Sequence, residues 1–438
     1  MDPLLIGLDV GTSSAKAVVF TADGRELSAG RARTPWSTTP DGTEVAADDL
    51  VTCAVAALDQ ALADAPDGPV VALGVTSMGE SGVLLDRRGE PVGPVVAWHD
   101  TRDRQDIAEL QTSGIAAAFA RTTGLPAGGQ WSLTKHRWLL SRHPELGAAV
   151  RRLNVAEWVV RALGGAEAAE QSLASRTGWL GLHARQWWPE ALDWSGARAS
   201  LMPELVTAGT PLGRVSTGVF PPRLRGAVLT VAGHDHQAAA IGAGACGAGD
   251  ELDSCGTAEA LVRTIPVGLD EAAVEHLAAA GITTGWHVLP GQWCLLGGTQ
   301  GGLALQRLLA DLGRSTEDVA DLDAAAAALP AGDTTDGRSP AHAWRTALQA
   351  VTAEAAAVHE AMTAVVGPHR SLVVTGGWAH SEGLLDAKRQ AFGALRVAPV
   401  GEAGTRGAAL MGGVAAGLYA TPPAVPAREL QLPGRGSR

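Results

Sequence analysis

Several things are scarce in this chain of 438 residues, and each scarcity narrows what it does. Cysteine occurs only at Cys53, Cys246, Cys255 and Cys294, with no C-x-x-C pair and no histidine at metal-ligand spacing. A disulfide scaffold and a zinc site are therefore not expected, and the thiols read as reduced. Lys/Arg clusters are absent and the net charge is −12, which argues against nucleic acid or an anionic membrane as partner. No apolar run reaches the ~18 residues of a membrane span. The start MDPLLIG has neither a basic n-region nor a long apolar h-region, so a cytoplasmic location is expected. Also missing are G-x-x-x-x-G-K-[ST] and G-x-G-x-x-G opening a helix, the usual loops for a nucleotide phosphate.

What is present is enough apolar residue, 46%, for ample core, and a length that at roughly 150 residues per domain gives two or three domains. Residues 5–34 read as a β-meander with a turn at Ala22-Asp23-Gly24. Asp48 to Ala63 reads as a helix and VVALGVTSM as a buried strand, followed by a hairpin turning at Arg88-Gly89. Residues 101–200 look mainly helical and hold most of the tryptophans, and AVLTVAG (227–233) is a strand. From Ala341 to Val366 the spacing of Trp344, Leu348, Val351, Ala355, Val358, Met362 and Val365 predicts one apolar helix face, read as core. SLVVTGG is a strand, Glu402 to Tyr419 a Gly/Ala-rich helix, and the Pro-rich residues from Thr421 a surface tail.

The stretch LDVGTSSAKAVVF ends a strand on Asp9, turns through Gly11-Thr12-Ser13-Ser14 and becomes a second strand. Such a turn is either an ordinary hairpin with a solvated Asp, or a nest. In the nest reading, backbone N–H groups and hydroxyls grip a phosphate, with Lys16 adding one charge. Asp9 would repel that phosphate unless a cation lay between them, and water-bound Mg²⁺ suits the carboxylate. LDSCGTAEALVRT repeats the device around Asp253, Gly256 and Thr257, which is either coincidence or an internal duplication. Gly376-Gly377-Trp378-Ala379-His380-Ser381 follows a strand, where backbone would pass close to a flat ring or ribose. Glu402-Ala403-Gly404 then opens a helix whose N-terminus would face a nucleotide. These grips imply a nucleotide lying between two lobes.

The segments IGLDVGTSSAKAVVF, GVTSMGESGVLLD with AWHDTR, TKHRWLLSRHPE, SLASRTGWLGLHARQWW, AGHDHQAAAIGAG, SCGTAEAL and TGGWAHSEG, in that order, resemble the FGGY carbohydrate kinases of the actin-like ATPase superfamily, over about Leu5 to Tyr419. The resemblance implies an α/β fold of two RNase H-like lobes with a nucleotide and sugar cleft between them. The expected division is residues 1–230 as a sugar-binding lobe with a helical insertion, 231–420 as a nucleotide-binding lobe, and 421–438 as tail. It implies transfer of the ATP γ-phosphoryl group, with Mg²⁺ held at Asp9, to a sugar or polyol. A homodimer is the default among oligomers.

By the same resemblance Asp235 is the general base; without it, Asp235 reads as the N-cap of the following helix. Gly11, Thr12, Ser13, Ser14, Lys16, Gly256, Thr257, Gly376, Gly377, Ala379 and Ser381 would hold ATP. Gly79 and Glu80 fall where glycerol kinase-like members bind a polyol, or Glu80 is simply a turn residue. Asp100, paired with Arg102, would brace that site or serve structure alone. Gln130 and Trp131 would pack on the sugar, unless Trp131 is core, and His236 flanks the base. Two departures stand out. Only LPAGDTTDGRSPAHAW (329–344) remains of a usually longer segment, and Trp378 replaces a glycine, where it would cover the adenine face or narrow the pocket. The alternative is a nucleotide-binding regulator on the same fold.

Overall fold

The structure, a computed structural model, describes residues 2–216, 218, 220–330, 339–398 and 401–424 and the backbone of 428–429. Strand β1 (Leu4–Val10) is a near-continuous apolar run because both of its faces are covered. Leu4, Ile6, Leu8 and Val10 enter one core with helix α1 (Ala47–Ala63), while Leu5 joins another on the opposite face. β2 (Ser14–Thr21) and β3 (Glu26–Arg33) continue an antiparallel meander, as the turn residues predict. β4 (Val70–Ser77) pairs parallel with β1, and β5 (Val228–His234) parallel with β4, giving the order β5-β4-β1-β2-β3. In this register Asp9 lies beside Thr76, and Thr76 beside Gly233. One edge of the sheet therefore receives Gly11, Glu80 and Asp235 from three adjacent strand ends.

Between β4 and β5 lies an insertion of short helices, among them Arg104–Thr112, Ala116–Thr123, Ser132–Arg142 and Val155–Ala162. Its core gathers Trp131, Trp138 and Trp179, so the tryptophans expected here serve packing. After β5 the chain enters α2 (Asp235–Ala243) and then a second sheet. That sheet runs β8-β9-β7-β6-β10-β11-β12, from β6 (Asp250–Cys255), β7 (Glu259–Pro266), β8 (Thr283–Trp286), β9 (Gln292–Thr299), β10 (Ser371–Thr375), β11 (Arg396–Val397) and β12 (Arg428–Glu429). β6, β7 and β9 form an antiparallel meander with β10 parallel to β6, the pattern of β1, β2, β3 and β4. The short sequence match thus marks a repeated unit.

Helix α3 (Pro340–Val366) buries Trp344, Leu348, Val351, Ala355 and Met362, as its spacing predicts, while Val358 and Val365 are half-buried. Of the shortened segment before it, 331–338 lie outside the described residues, as do 425–427 and 430–438 of the tail. Helix α4 (Ala403–Ala415) is shorter than the span to Tyr419. Gly417, at φ +73°, closes it, with Leu418 N–H donating to Gly413 O and Gly417 N–H to Val414 O. This is a Schellman stop that a left-handed glycine allows. α4 returns from the second sheet to lie on β1, β4 and β5, and it crosses α2. A Cβ on Gly407 would stand 1.8 Å from Ala238 O, and one on Gly7 1.7 Å from Thr405 O. The lobes are therefore joined main chain to main chain.

Candidate active site where the lobes meet

In the first hairpin Gly11 N–H donates to Ser14 O at 3.1 Å and closes the turn. The carbonyls of Gly11, Thr12 and Ser13 are taken from behind by Thr34 Oγ1, Trp36 Nε1 and Thr34 N–H. Among the described residues no hydrogen bond takes the N–H groups of Thr12 and Ser13, which is the state a nest needs. The Thr12 hydroxyl accepts Trp98 Nε1–H at 2.8 Å, so it is held rather than free. Ser13 is exposed, whereas Ser14 is buried at the start of β2. Lys16 pairs with Glu402 at 2.8 Å, tying this hairpin to the entry of α4.

Asp9 and Asp235 converge beside Gly404, whose Cβ would stand 3.3 Å from Asp9 Oδ2 and 4.0 Å from Asp235 O. Burial, then Asp235, push the Asp9 carboxyl up to about 7. Its Oδ1 is buried with no hydrogen-bond partner. A carboxylate left so would be costly alone, and a hard divalent cation with its waters fits it, so Asp9 can hold Mg²⁺. Asp235 is the first residue of α2 and His234 its N-cap, so the capping reading is set aside. Among the described residues the Asp235 carboxylate accepts only the adjacent His236 N–H, at 2.7 Å, and it lies 3.4 Å from His234 Nε2. Burial raises its pKa to about 7, against the His236 hydrogen bond, with Glu80 adding to the rise and Arg176 opposing it. Burial holds His236 down at about 4 and His234 well below the usual range, so both rings are neutral.

On the acceptor side Glu80 sits at φ +61°, a strained place for a side-chain-bearing residue. Its carbonyl accepts Ser132 Oγ–H at 2.7 Å and Arg152, which fix it there. Its carboxylate accepts Arg176 Nε–H at 2.7 Å, and Arg176 Nη1 reaches Thr283 Oγ1 on the second sheet at 2.8 Å. The guanidinium lies 5.0 Å over the Trp131 ring. A side chain on Gly79 would meet the His234 ring at 3.1 Å and Arg176 at 3.3 Å. Arg176 was not assigned a role from sequence. It lies 96 residues from Glu80, and only its place in SLASRTGWL pointed to it.

Asp100 is the brace its pairing with Arg102 predicts, while Gln130 and Trp131, expected to pack on a sugar, are also spent on the protein. Arg102 and the Thr43 N–H fill the Asp100 carboxylate and hold it below the usual range despite burial. Gln130 spends its amide on the carbonyls of His99 and Asp100. Trp131 is buried, donates Nε1–H to Pro126 O, and supports Arg176.

In the second lobe the hairpin after β6 and the loop after β10 leave the same sheet edge, with Ser254 beside Thr375. A Cβ on Gly376 would meet Cys255 O at 2.5 Å, and one on Gly302 would meet Gly256 O at 1.8 Å. Gly302 belongs to the helix Gly301–Asp311, so a third glycine segment, not identified from sequence, packs on the hairpin. Thr257 is exposed, and the space around Gly377 is open. Ala379 closes a short turn onto Gly376 O. Ser381 is turned inward, capping Leu384 N–H and donating to Asp323, and so is spent on structure. Trp378 is buried beside Trp344, ring centroids 6.2 Å apart, so it is core rather than a cover over an open face.

Beneath this hairpin Lys388 is fully buried, its ammonium donating to both Asp253 and Glu259. Burial opposes the charge, but Asp253, Cys255 and Glu259 outweigh it and hold the lysine above its usual range. Glu259 also accepts Thr299 Oγ1–H at 2.6 Å, and that hydroxyl accepts Gly301 N–H at 3.2 Å. One network therefore ties together the hairpin, the Gly301 helix and the helix Glu382–Phe392.

A duplicated two-lobed fold with paired carboxylates and glycine hairpins at its seam defines a phosphotransferase acting on an alcohol group, and known proteins agree. Residues 4–242 match the N-terminal domain of the FGGY family of carbohydrate kinases, and the chain belongs to that family. A glycerol kinase of Polaromonas naphthalenivorans is 27% identical over 464 residues, 95% of this chain and 91% of the relative. Another, of Acidovorax ebreus, is 29% identical over 465 residues, again 95% and 91%. In fold, the chain is similar to a xylulose kinase from Rhodospirillum rubrum, with TM-score 0.81 and 23% identity over 94% of this chain and 90% of that one. It is similar too to a gluconate kinase from Lactobacillus acidophilus, with TM-score 0.84 and 18% identity over 96% and 90%. Kinases of this family use ATP. Among the described residues no helix is long and apolar enough to cross a membrane.

Proposed function

We infer that the chain transfers the γ-phosphoryl group of ATP to a hydroxyl of a neutral polyol or ketose, with Asp235 as general base. The observation that carries this is the meeting of Asp235, Asp9 and the Glu80–Arg176 pair where three adjacent strands end. The acceptor oxygen attacks the γ-phosphorus, the bond to the ADP oxygen breaks, and the hydroxyl proton passes to Asp235. A carboxylate titrating near neutrality is matched to that task. The free N–H groups of Thr12 and Ser13, with the Gly256-Thr257 turn, would bind phosphoryl oxygens, and Gly376-Gly377 would lie along the nucleoside. Mg²⁺ at Asp9 would supply charge neutralisation to the phosphates. Glu80 would accept and Arg176 donate hydrogen bonds to vicinal hydroxyls. Because the two balance each other's charge, a neutral acceptor fits better than an aldonate. Four unpaired thiols and an ATP donor fit a cytoplasmic setting.

The test is ADP release with a panel of neutral polyols, ketoses and aldonates. At least one neutral acceptor should raise release well above background. Asp235→Asn should lower kcat by roughly 10²- to 10⁴-fold while ADP binding by calorimetry is kept. An unchanged kcat in that variant would remove Asp235 from the chemistry. ATP binding without stimulation by any acceptor would favour a regulator on this fold.

A further inference from the structure

We propose that a cavity of about 1180 Å³ at the far end of the second lobe binds a small phosphate-bearing anion. The cavity lies against Asp250 and Ser371, the first residues of β6 and β10. Their last residues, Cys255 and Thr375, carry the hairpin and the glycine loop of the active site. Five strand steps along β6 and four along β10 separate the two ends, roughly 13–17 Å, so this is a place distinct from the site where the lobes meet. Its volume suits a metabolite-sized ligand.

Arg370, Arg389 and Arg396 converge on this cavity, with His369 beside them, in a chain whose net charge is −12. Arg370 pairs through both Nε and Nη2 with Asp250, at 3.0 and 2.7 Å, and this is the one carboxylate among the cavity's described lining residues. Asp250 is already further occupied by Gly247 N–H, at 2.9 Å. Arg396 donates to Ser371 Oγ and has no carboxylate partner among the described residues. Arg389 pairs through Nη1 with Asp386, but its side chain is only 12% exposed and its Nε is buried with no partner. His369 Nδ1 is likewise buried and unpartnered, its ring packed at 5.1 Å against His359. Those two atoms are closed off from the cavity itself, so the case for a ligand rests on the three guanidinium groups that line it, which favour one rich in acceptor oxygens. Converging guanidinium forks match phosphate oxygens in shape as well as charge. The opening beside Gly393, whose Cβ would meet nothing within 4 Å, leaves a way in.

Cys246 gives a local reporter. It lines the same cavity and is the half-buried member of four cysteines of which Cys53, Cys255 and Cys294 are buried. The experiment measures alkylation of Cys246 in the full chain, peptide by peptide, with inorganic pyrophosphate as probe. Sulfate at matched ionic strength and citrate serve as separate arms. Pyrophosphate is expected to slow Cys246 labelling at least about five-fold, and Arg389→Gln with Arg396→Gln to abolish the protection. Arg370→Gln, whose side chain is 64% exposed, serves if the double variant melts early. Equal protection by sulfate would mean an adventitious ion only. That result, protection by citrate instead of pyrophosphate, unchanged labelling, or protection that survives the substitutions each overturns the proposal. None of these readouts depends on kinase turnover.

Discussion

Asp9 and Asp253 hold corresponding places, each near the end of the first strand of its lobe and just before a Gly-Thr turn, yet their surroundings are opposite. Asp253 is fully buried and carries its own cation, the Lys388 ammonium. Asp9 has no such partner among the described residues; its Oδ1 is buried and unbonded, and Asp235 stands close enough to raise its pKa further. A duplicated hairpin has thus been finished in two ways. The second lobe neutralises its carboxylate internally and gains a stiff hairpin floor. The first leaves its carboxylate without an internal cation among the described residues, which on the proposed function is where a cation from solution would sit.

Three sets of substitutions would break or sharpen this contrast. Lys388→Met strands two buried carboxylates and should cost roughly 3–5 kcal/mol in urea denaturation. Adding Asp253→Asn and Glu259→Gln should recover most of that. A loss under about 1 kcal/mol would mean that the second lobe does not depend on its internal cation. The Asp9 side gives a pH signature of known sign. Its carboxyl is pushed up to about 7 in the folded chain against about 3.9 for an ordinary aspartate, so the folded state binds more protons between those values. Stability without divalent cation should therefore fall as pH rises from about 4 to about 7. Mg²⁺ should raise the melting temperature clearly at pH ~8 and little at pH ~5. Asp9→Asn should erase that difference, and a magnesium effect that survives it would place the metal elsewhere. The smallest effect separates the two threonines. Thr12→Val loses the Trp98 hydrogen bond and should cost about 1 kcal/mol, whereas exposed Thr257→Val should stay within about 0.5 kcal/mol. Equal losses in thermal melts would erase the distinction.

Much of the architecture was legible in the chain because it is written locally. Alternation, turn residues and the apolar stripe from Trp344 to Met362 gave strands, hairpins and α3, and motif order gave the family. What was not legible depends on where distant segments meet. Arg176 acquires its role only when folding brings it to Glu80 and Thr283. Gln130, Trp131 and Ser381 looked like ligand contacts because polar or aromatic residues near a glycine turn do not declare which way they face. Lys388 did leave a trace. In the helix Glu382–Phe392 it sits four residues after Leu384 and four before Phe392, both buried, on the face that must enter the core. A lone lysine on such a face requires buried carboxylates nearby, and LDSCGTAE supplies both.

The reach of Arg176 has one more consequence. Its guanidinium joins Glu80 on one half of the molecule to Thr283 on the other, and the backbone of Thr284 is hydrogen-bonded to Gly124 right beside it. On the proposed function this pair seats the alcohol, so that seat would exist in this form only while the halves are shut, and any parting of them would dismantle its donor side in the same stroke.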